Sequence, residues 1–315
     1  MDNIILAFSV VYPLLFTLAV GYILKIARIT DEHSLTVMNK LVFRIFLPLL
    51  LFLNIYSLEP SEALNKENVE LLILTAAVVL LAALVMHILF PLIIKEKGKC
   101  SVMIQGIFRS NLVLFGIPIA TSIYGEGRIG KVSLLAAFIV PLFNILSVII
   151  LESYRYGKVS YRKVILSILK NPLIIASLLA FVMLLLHIRL PELLLSPLES
   201  MSKVATPLAF VVLGGTFQFK RLSANFSYLT AAVLGRLCIL PGILFAIAIA
   251  LGFREEALVA LIGAAASPTA VSSFTMAVEM DADGELAGQI VVFTSILSIA
   301  TIFLWVLFLK TMKLI

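Results

Sequence analysis

Long apolar runs follow one another along the whole chain, and only short polar connections separate them. An α-helix needs about 20 apolar residues to cross the roughly 30 Å hydrocarbon core of a bilayer. Strands of a membrane barrel would instead alternate apolar and polar residues, because their side chains face lipid and lumen in turn. The runs here are continuous, so the sequence predicts an all-α integral membrane protein.

Composition agrees with this class, since 62% of the residues are hydrophobic and 13% are charged. A soluble domain carries about a quarter charged residues. The predicted transmembrane spans cover residues 3–25, 38–57, 69–94, 103–124, 130–153, 168–188, 199–219, 226–252, 256–278 and 286–309. We therefore predict ten transmembrane helices.

The basic residues are unevenly divided between the two sides of the membrane. Fifteen Lys and Arg residues, Arg109 among them, are assigned to the connections after odd-numbered spans, and eight lie on the opposite side. Cytoplasmic loops carry an excess of Lys and Arg, so we expect both termini to face outward. The net charge of +6 lies in these short connections. Orientation and anionic lipid heads account for it, and no nucleic acid is expected to bind.

Prolines repeat at matching distances in the two halves. Four pairs fall on two offsets, which are 159 residues for Pro13 with Pro172 and Pro48 with Pro207, and 150 residues for Pro91 with Pro241 and Pro118 with Pro268. We predict a first five-helix repeat at 1–155, a cytoplasmic linker at 156–165 and a second repeat at 166–315. Because five spans is an odd number, the second repeat enters from the opposite face. Such inverted repeats are a common build of secondary transporters.

Spans four and nine carry their prolines among small and polar residues. We expect Pro118 and Pro268 to interrupt the two helices at equivalent depth, because proline removes a backbone hydrogen bond. Unpaired N–H groups at a half-helix start favour an anion, and unpaired carbonyls favour a cation. The candidate binding residues are Asn111, Gly116, Pro118, Thr121, Ser267, Pro268, Thr269 and Ser272. The alternative is that the prolines are kinks and the hydroxyls serve helix packing.

Polar side chains deeper in the spans add further candidates. Arg236, in span eight, is interpreted as the one basic residue outside the connections, where it either attracts an anionic substrate or pairs with backbone carbonyls. His87 is either a proton-coupling group or a packing residue. Asn144 and Thr294, which are 150 residues apart, either line the pocket or bond neighbouring helices.

The eighteen acidic residues are all placed in loops or at span ends, with Glu152 and Glu279 nearest the interior. No buried carboxylate is therefore expected to carry a proton or bind Na⁺. Uniport, proton coupling through histidine, and Na⁺ held by carbonyls and hydroxyls remain open. No cofactor is expected, and the three His and two Cys supply no metal or nucleophilic centre, so an enzyme is not predicted.

Two stretches resemble the auxin efflux carrier family, which includes the PIN-type auxin carriers. The first is Asn111 to Gly125, with Asn five residues before Gly116-Ile117-Pro118, and it is similar to the family's fourth helix. The second is Pro268 followed by Phe274, Ala277 and Glu279, and it is similar to the ninth helix. The chain lacks the long cytoplasmic loop of the plant carriers, which implies a bacterial-type member in the inner membrane.

The resemblance implies that spans four and nine cross, and that Asn111 and the backbone around Pro118 and Pro268 hold the substrate. It also implies a scaffold of spans 1, 2, 6 and 7, a moving domain of spans 3–5 and 8–10, and a homodimer through the scaffold. The implied substrates are mono- or dicarboxylates that resemble auxin, malate or malonate. We predict a secondary transporter that exports a small organic anion by alternating access. A membrane solute sensor, or a carrier of a cation or neutral solute, is the alternative.

Overall fold

The computed structural model describes residues 2–57, 65–125, 128–155, 161–218 and 222–315, without the side chains of 2–7 and 161–164. These residues form the helices α1 (Asp2–Ile26), α2 (Glu32–Tyr56), α3 (Lys66–Ile93), α4 (Lys97–Phe108), α5 (Leu112–Tyr124), α6 (Gly130–Arg155), α7 (Tyr161–Lys170), α8 (Pro172–Leu185), α9 (Glu192–Ser202), α10 (Ala205–Thr216), α11 (Leu222–Ala250), α12 (Glu256–Ala266), α13 (Ser272–Glu279) and α14 (Gly284–Thr311). Residues 156–160 of the predicted linker, and Lys220 and Arg221, lie outside the described residues. The rest of the linker, 161–165, is helical.

In the described part of the chain, six helices are long and apolar enough to cross a membrane, namely α1 from Phe8 onward, α2, α3, α6, α11 and α14. They correspond to the predicted spans 1, 2, 3, 5, 8 and 10. In lipid, a helix satisfies nearly all of its own backbone groups, which is why continuous apolar runs form helices there. The prediction of an all-α membrane protein is confirmed.

Short polar side chains mark where several of these helices begin. Asp31, Asn65 and Asp283 each accept a hydrogen bond from the backbone N–H three residues later, at the starts of α2, α3 and α14. These side chains satisfy N–H groups that have no partner within the helix. The hydroxyl and backbone N–H of Ser34 also bond Asp31, and they lower the pKa of its carboxyl.

The other four predicted spans are each built from two shorter helices. Span four is α4 with α5, span six includes α8 and the end of α7, span seven is α9 with α10, and span nine is α12 with α13. Residues 109–111 separate α4 from α5, and residues 267–271 separate α12 from α13. Both of these interruptions lie inside predicted spans, so the backbone groups they free need partners elsewhere.

The interruption of span four is not where its proline predicted it. Helix α5 runs through Pro118, and the chain instead leaves the helical conformation at Arg109. A proline removes one hydrogen bond and is tolerated as a kink in a membrane helix. At residues 109–111 the freed groups find partners on another segment, so the helix breaks there. The prediction of a break at Pro118 is wrong, whereas Pro268 does lie in a non-helical segment.

Helices α1 and α10 pack backbone against backbone. A Cβ atom on Gly21 would lie 2.0 Å from the Val211 carbonyl oxygen, and one on Gly214 would lie 1.9 Å from the Leu18 oxygen. Only glycine permits this approach. Helix α2 packs against α8, so these contacts pair predicted span 1 with span 7 and span 2 with span 6.

Candidate functional site

The two non-helical segments 109–111 and 267–271 lie side by side, and we call them together the junction. Asn111 donates its backbone N–H to the Pro268 carbonyl oxygen at 2.8 Å, and Ser110 and Thr269 form an isolated antiparallel bridge. These two bridged residues are 159 apart, which is also the separation of Pro13 and Pro172.

Close packing of two glycines holds the helices beside the junction. A Cβ atom on Gly263, in α12, would lie 2.6 Å from the Cα atom of Gly116, in α5. A side chain at Gly263 would push the two helices apart, and a Cβ atom on Gly116 would make a tight contact of 3.2 Å with the Gly263 Cα atom. The candidate Gly116 therefore has a packing role in this structure.

Four helix ends meet at the junction. Helices α4 and α12 end there and present carbonyl groups, whereas α5 and α13 begin there and present N–H groups. A helix carries about half a negative charge at its C-terminus and half a positive charge at its N-terminus. The junction therefore has a negative and a positive side.

Arg236 occupies the negative side. It lies in a π-helical turn of α11, Gly235–Ile239, and its side chain is fully buried. Its Nε donates to the Ser267 oxygen at 2.9 Å, Nη1 donates to Ile107 and Phe108 oxygens at 2.9 and 3.2 Å, and Nη2 donates to Ala264 and Ala265 oxygens at 3.2 and 2.6 Å. A guanidinium has five N–H donors, so every one is used. Of the two interpretations of Arg236, pairing with backbone carbonyls describes this geometry.

Three of the predicted hydroxyl ligands also bond within the protein. Thr269 Oγ1 donates to the Gly106 oxygen at 2.7 Å, and its backbone N–H donates to Thr294 Oγ1 at 3.2 Å. Thr294 Oγ1 in turn donates to the Ile290 oxygen at 2.6 Å, and Ser267 Oγ donates to the Gly263 oxygen at 2.7 Å. These hydroxyls hold the junction against α4 and α14.

Replacing Thr269 by valine keeps the side-chain shape and removes the donor to Gly106. We expect a loss of about 1–3 kcal/mol in stability, because a buried carbonyl is left without a partner. Thermal unfolding of the purified protein measures the effect. Thr230→Val is the matched control, since the Thr230 hydroxyl is exposed and bonds only its own helix at Phe226. Equal melting temperatures in both variants would contradict a structural role for Thr269.

Arg109 is a functional candidate that the sequence analysis missed. Its side chain is 3% exposed, and Nη2 donates to Asn144 Oδ1 and, at 2.7 Å, to Ser272 Oγ. Nη1 contacts Met276 Sδ. Within the described part of the chain, Arg109 forms no ion pair with a carboxylate. A buried cation without a counter-charge is costly, which marks Arg109 as a candidate for function.

The assignment of Arg109 to a cytoplasmic connection is wrong, and so is the prediction that Arg236 is the one basic residue inside a span. Lys95, Lys97 and Lys99 precede Arg109 closely, which made it look like a further member of a basic loop. One signal was available in the sequence. Arg109 lies inside the predicted span 103–124, two residues before Asn111.

Several buried polar atoms without a partner belong to residues that stand next to, or one helical turn from, Arg109 or the residues it contacts. Among the described residues they include Gln105 Nε2 and Oε1, Ser110 Oγ, Asn144 Nδ2, Ser147 Oγ, Ser273 Oγ and Thr275 Oγ1. Gln105 precedes Arg109 by one helical turn, and Ser147 follows Asn144 by one turn, so each pair shares a helix face. Buried polar groups are nearly always hydrogen-bonded. We call these residues, with Arg109 and Ser272, the Arg109 cluster.

The remaining candidates lie at different distances from this cluster. The half-buried side chain of Asn111 stands at the start of α5 and has no hydrogen-bond partner in the described ranges. Thr121 is ten residues after Asn111 along the helix, about 15 Å away. His87 contacts the Tyr154 hydroxyl at 3.2 Å, and Tyr154 lies ten residues after Asn144 on α6, about 15 Å away. The structure thus does not bring Thr121 or His87 to the junction.

The expectation that no carboxylate is buried is wrong for Glu152. Its side chain is 3% exposed, and its Oε1 accepts a hydrogen bond from Arg155 at 3.1 Å. Arg155 also pairs with Asp281. Glu152 lies in the last turn of α6, eight residues after Asn144, so it does not offset the charge of Arg109.

A fold whose described residues are almost all helical, include six helices able to span a bilayer and bring helix ends together at a buried polar junction is that of an integral membrane protein. A model of the family described as membrane transport protein matches residues 6–306. The chain belongs to this family, and the resemblance to the auxin efflux carrier family is confirmed.

Two archaeal proteins are similar to the chain over almost its whole length. An uncharacterized transporter from Methanocaldococcus jannaschii is 23% identical over 304 residues, which cover 94% of this chain and 97% of that protein. An uncharacterized transporter from Methanothermobacter thermautotrophicus is 23% identical over 302 residues, with 94% and 96% covered. The family and both relatives are thus described as membrane transporters.

Proposed function

We propose that the protein is a secondary transporter that carries a small organic anion across the membrane by alternating access. The charge balance of the junction carries this proposal. Arg236 is offset by the carbonyl ends of α4 and α12, whereas Arg109 lies near the starts of α5 and α13, which are themselves positive. Among the described residues no carboxylate balances it, so an anion is the complementary guest.

The proposed architecture has ten spans in two inverted repeats, with α4–α5 and α12–α13 as crossed, broken spans four and nine. The bridge between Ser110 and Thr269 supports it, because it brings the interrupted segments of the two spans together. A two-fold axis through the junction would place the substrate near the membrane midplane. Both termini then face outward, in keeping with the distribution of basic residues.

Alternating access requires contacts between scaffold and moving helices that open on one side at a time. Asn39, on α2, donates to Glu279 Oε1 at 3.0 Å and to the Thr275 oxygen at 3.4 Å, both on α13. Nearby, a cavity of about 210 Å³ is bounded by α10, α13 and α14, with Phe274 and Glu285 in its wall. We propose this region as the cytoplasmic entrance and the Asn39 contact as its gate.

The carbonyl ends of the junction are a poor site for a coupling cation. Arg236 already occupies them with five hydrogen bonds, and a Na⁺ ion there would face its positive charge. We therefore propose that the protein works by uniport or anion exchange in preference to Na⁺-coupled transport. A proton pathway through His87 would have to act from the end of α6, away from the junction.

Transport by the purified protein in liposomes tests the proposal. Vesicles loaded with unlabelled lactate or malate should accumulate the corresponding ¹⁴C-labelled anion by exchange, and vesicles without protein should not. Exchange should be absent for lactamide, which has the shape of lactate without its charge. Failure of every mono- and dicarboxylate with correctly inserted protein would contradict the proposal and favour the sensor or the carrier of another solute.

A further inference from the structure

We propose that Arg109 binds the carboxylate of the substrate directly, in a site that it shares with Asn144 and Ser272. This inference rests on the proposed function and assigns a residue and a ligand chemistry to it. Arg109 is placed there by the break after α4, which turns the chain out of the helix beside α6 and α13.

The two buried arginines of the junction differ in what surrounds them. All five N–H groups of Arg236 meet carbonyl oxygens that carry the negative end of a helix. Arg109 meets one amide oxygen, one hydroxyl and one thioether. These neutral groups orient a guanidinium but do not cancel its charge, and burial of an uncancelled charge costs several kcal/mol. A bound anion would offset that cost. Buried arginines ordinarily have it offset by a salt bridge to a carboxylate of the same protein.

The geometry leaves room for a paired contact. A guanidinium holds a carboxylate with two parallel N–H bonds. The Nε–H of Arg109 has no acceptor among the described residues, and Nη2 is bonded to Asn144 and Ser272. A carboxylate that takes Nε–H and Nη2–H would replace one of these two neutral acceptors. Asn144 and Ser272 would then accept hydrogen bonds from the guanidinium when no substrate is bound, and so keep it in position between transport events.

The same displacement gives the unpartnered atoms a role. Asn144 Nδ2 and Gln105 Nε2 are buried donors, and Ser273 Oγ is a buried hydroxyl, all without partners in the described residues. An acid with an alkyl body would leave them unsatisfied. The site therefore favours a small carboxylate with a further hydrogen-bonding group, of which a 2-hydroxy acid is the simplest, over an alkyl acid of the same size.

Binding by the purified full chain tests this assignment, with lactate, propionate, lactamide and malate as probes in isothermal titration. Lactate should bind more tightly than propionate, and lactamide should not bind. Arg109→Gln should weaken lactate binding at least about tenfold, as expected for loss of a charged, paired hydrogen bond. Its melting temperature should stay level or rise, because an uncancelled buried charge is removed. Malate binding as tight as that of lactate, and equally sensitive to Arg109→Gln, would place one of its two carboxylates in this site.

Two further variants keep the outcome clear. Arg254→Gln is the matched control, because Arg254 bonds only backbone oxygens near the end of α11 and is exposed, and it should bind lactate like the wild type. Asn144→Asp supplies an internal carboxylate to Arg109, so it should raise the melting temperature and abolish lactate binding. If Asn144→Asp binds lactate normally, Arg109 is not the ligand, even where Arg109→Gln does not fold.

The outcomes separate the two proposals. Wild-type protein that exchanges a carboxylate, with unchanged binding in Arg109→Gln, would overturn the site and leave the transport function standing. Wild-type protein that neither binds nor exchanges any carboxylate would overturn both. Propionate binding as tightly as lactate would overturn the preference for a polar substituent.

Discussion

Arg236→Met is expected to lower the melting temperature by more than about 10 °C, or to prevent recovery of folded protein. The substitution removes the donors of five backbone carbonyls at the ends of α4 and α12. Each buried carbonyl without a donor costs about 1–3 kcal/mol, and the total is comparable to the whole stability of a typical protein, about 5–15 kcal/mol. Size-exclusion chromatography and thermal unfolding in detergent measure the effect.

Two comparisons make this result specific to the junction. Arg236→Lys keeps the charge but offers three donors instead of five, so we expect an intermediate loss. Arg254→Met removes an exposed arginine that bonds carbonyls at 3.0 and 2.7 Å, and its effect should stay within about 0.5 kcal/mol. If Arg236→Met melts like the wild type, the carbonyl ends are satisfied in another way and the described junction is incorrect.

Gly214→Ala is expected to destabilise the protein by at least about 3 kcal/mol, at the upper end of the usual range for overpacking. The added Cβ would lie 1.9 Å from the Leu18 carbonyl oxygen. The obstructing atom belongs to the backbone of α1, so no side-chain rotation relieves the contact and the two helices must separate. Gly21, in α1, approaches the Val211 carbonyl oxygen of α10 in the same way, so neither helix has space for a side chain at this contact.

Gly242→Ala is the control for the contact of α1 with α10. It adds the same methyl group within α11, where the nearest atom is Trp305 Cη2 at 3.7 Å. Alanine is favoured over glycine in a helix by about 1 kcal/mol, so the melting temperature should stay level or rise. A wild-type melting temperature for Gly214→Ala would show that α1 and α10 do not approach this closely.

The two buried arginines of the junction are assigned different roles, a structural one for Arg236 and substrate binding for Arg109. Arg236 joins the carbonyl ends of two helices that are far apart in sequence, with acceptors 28 to 129 residues away. Arg109 is held by neutral groups, and no carboxylate among the described residues compensates its charge. The predicted consequences are opposite, because loss of Arg236 should cost stability, whereas loss of Arg109 should cost binding and leave stability level or higher.

Local patterns in the sequence were sufficient for the membrane class and for the long spans. Whether a run of residues enters a bilayer depends on a sum of side-chain transfer energies, and that sum can be taken along the chain. The helices α3, α6, α11 and α14 therefore appear near the predicted spans. Interrupted spans were predicted with less accuracy, because proline was taken as the cause of the break in span four.

Amino-acid order alone thus determined an all-helical membrane protein of a transporter family, with polar residues concentrated in two of its spans. Only the tertiary structure decided where span four breaks, that all five donors of Arg236 bond carbonyl oxygens, and that Arg109 is buried beside Asn144 and Ser272. The physical reason is that a broken helix or a buried charge persists only where distant groups supply the missing hydrogen bonds. Those groups, such as Pro268 for Asn111, become neighbours only when the chain is folded.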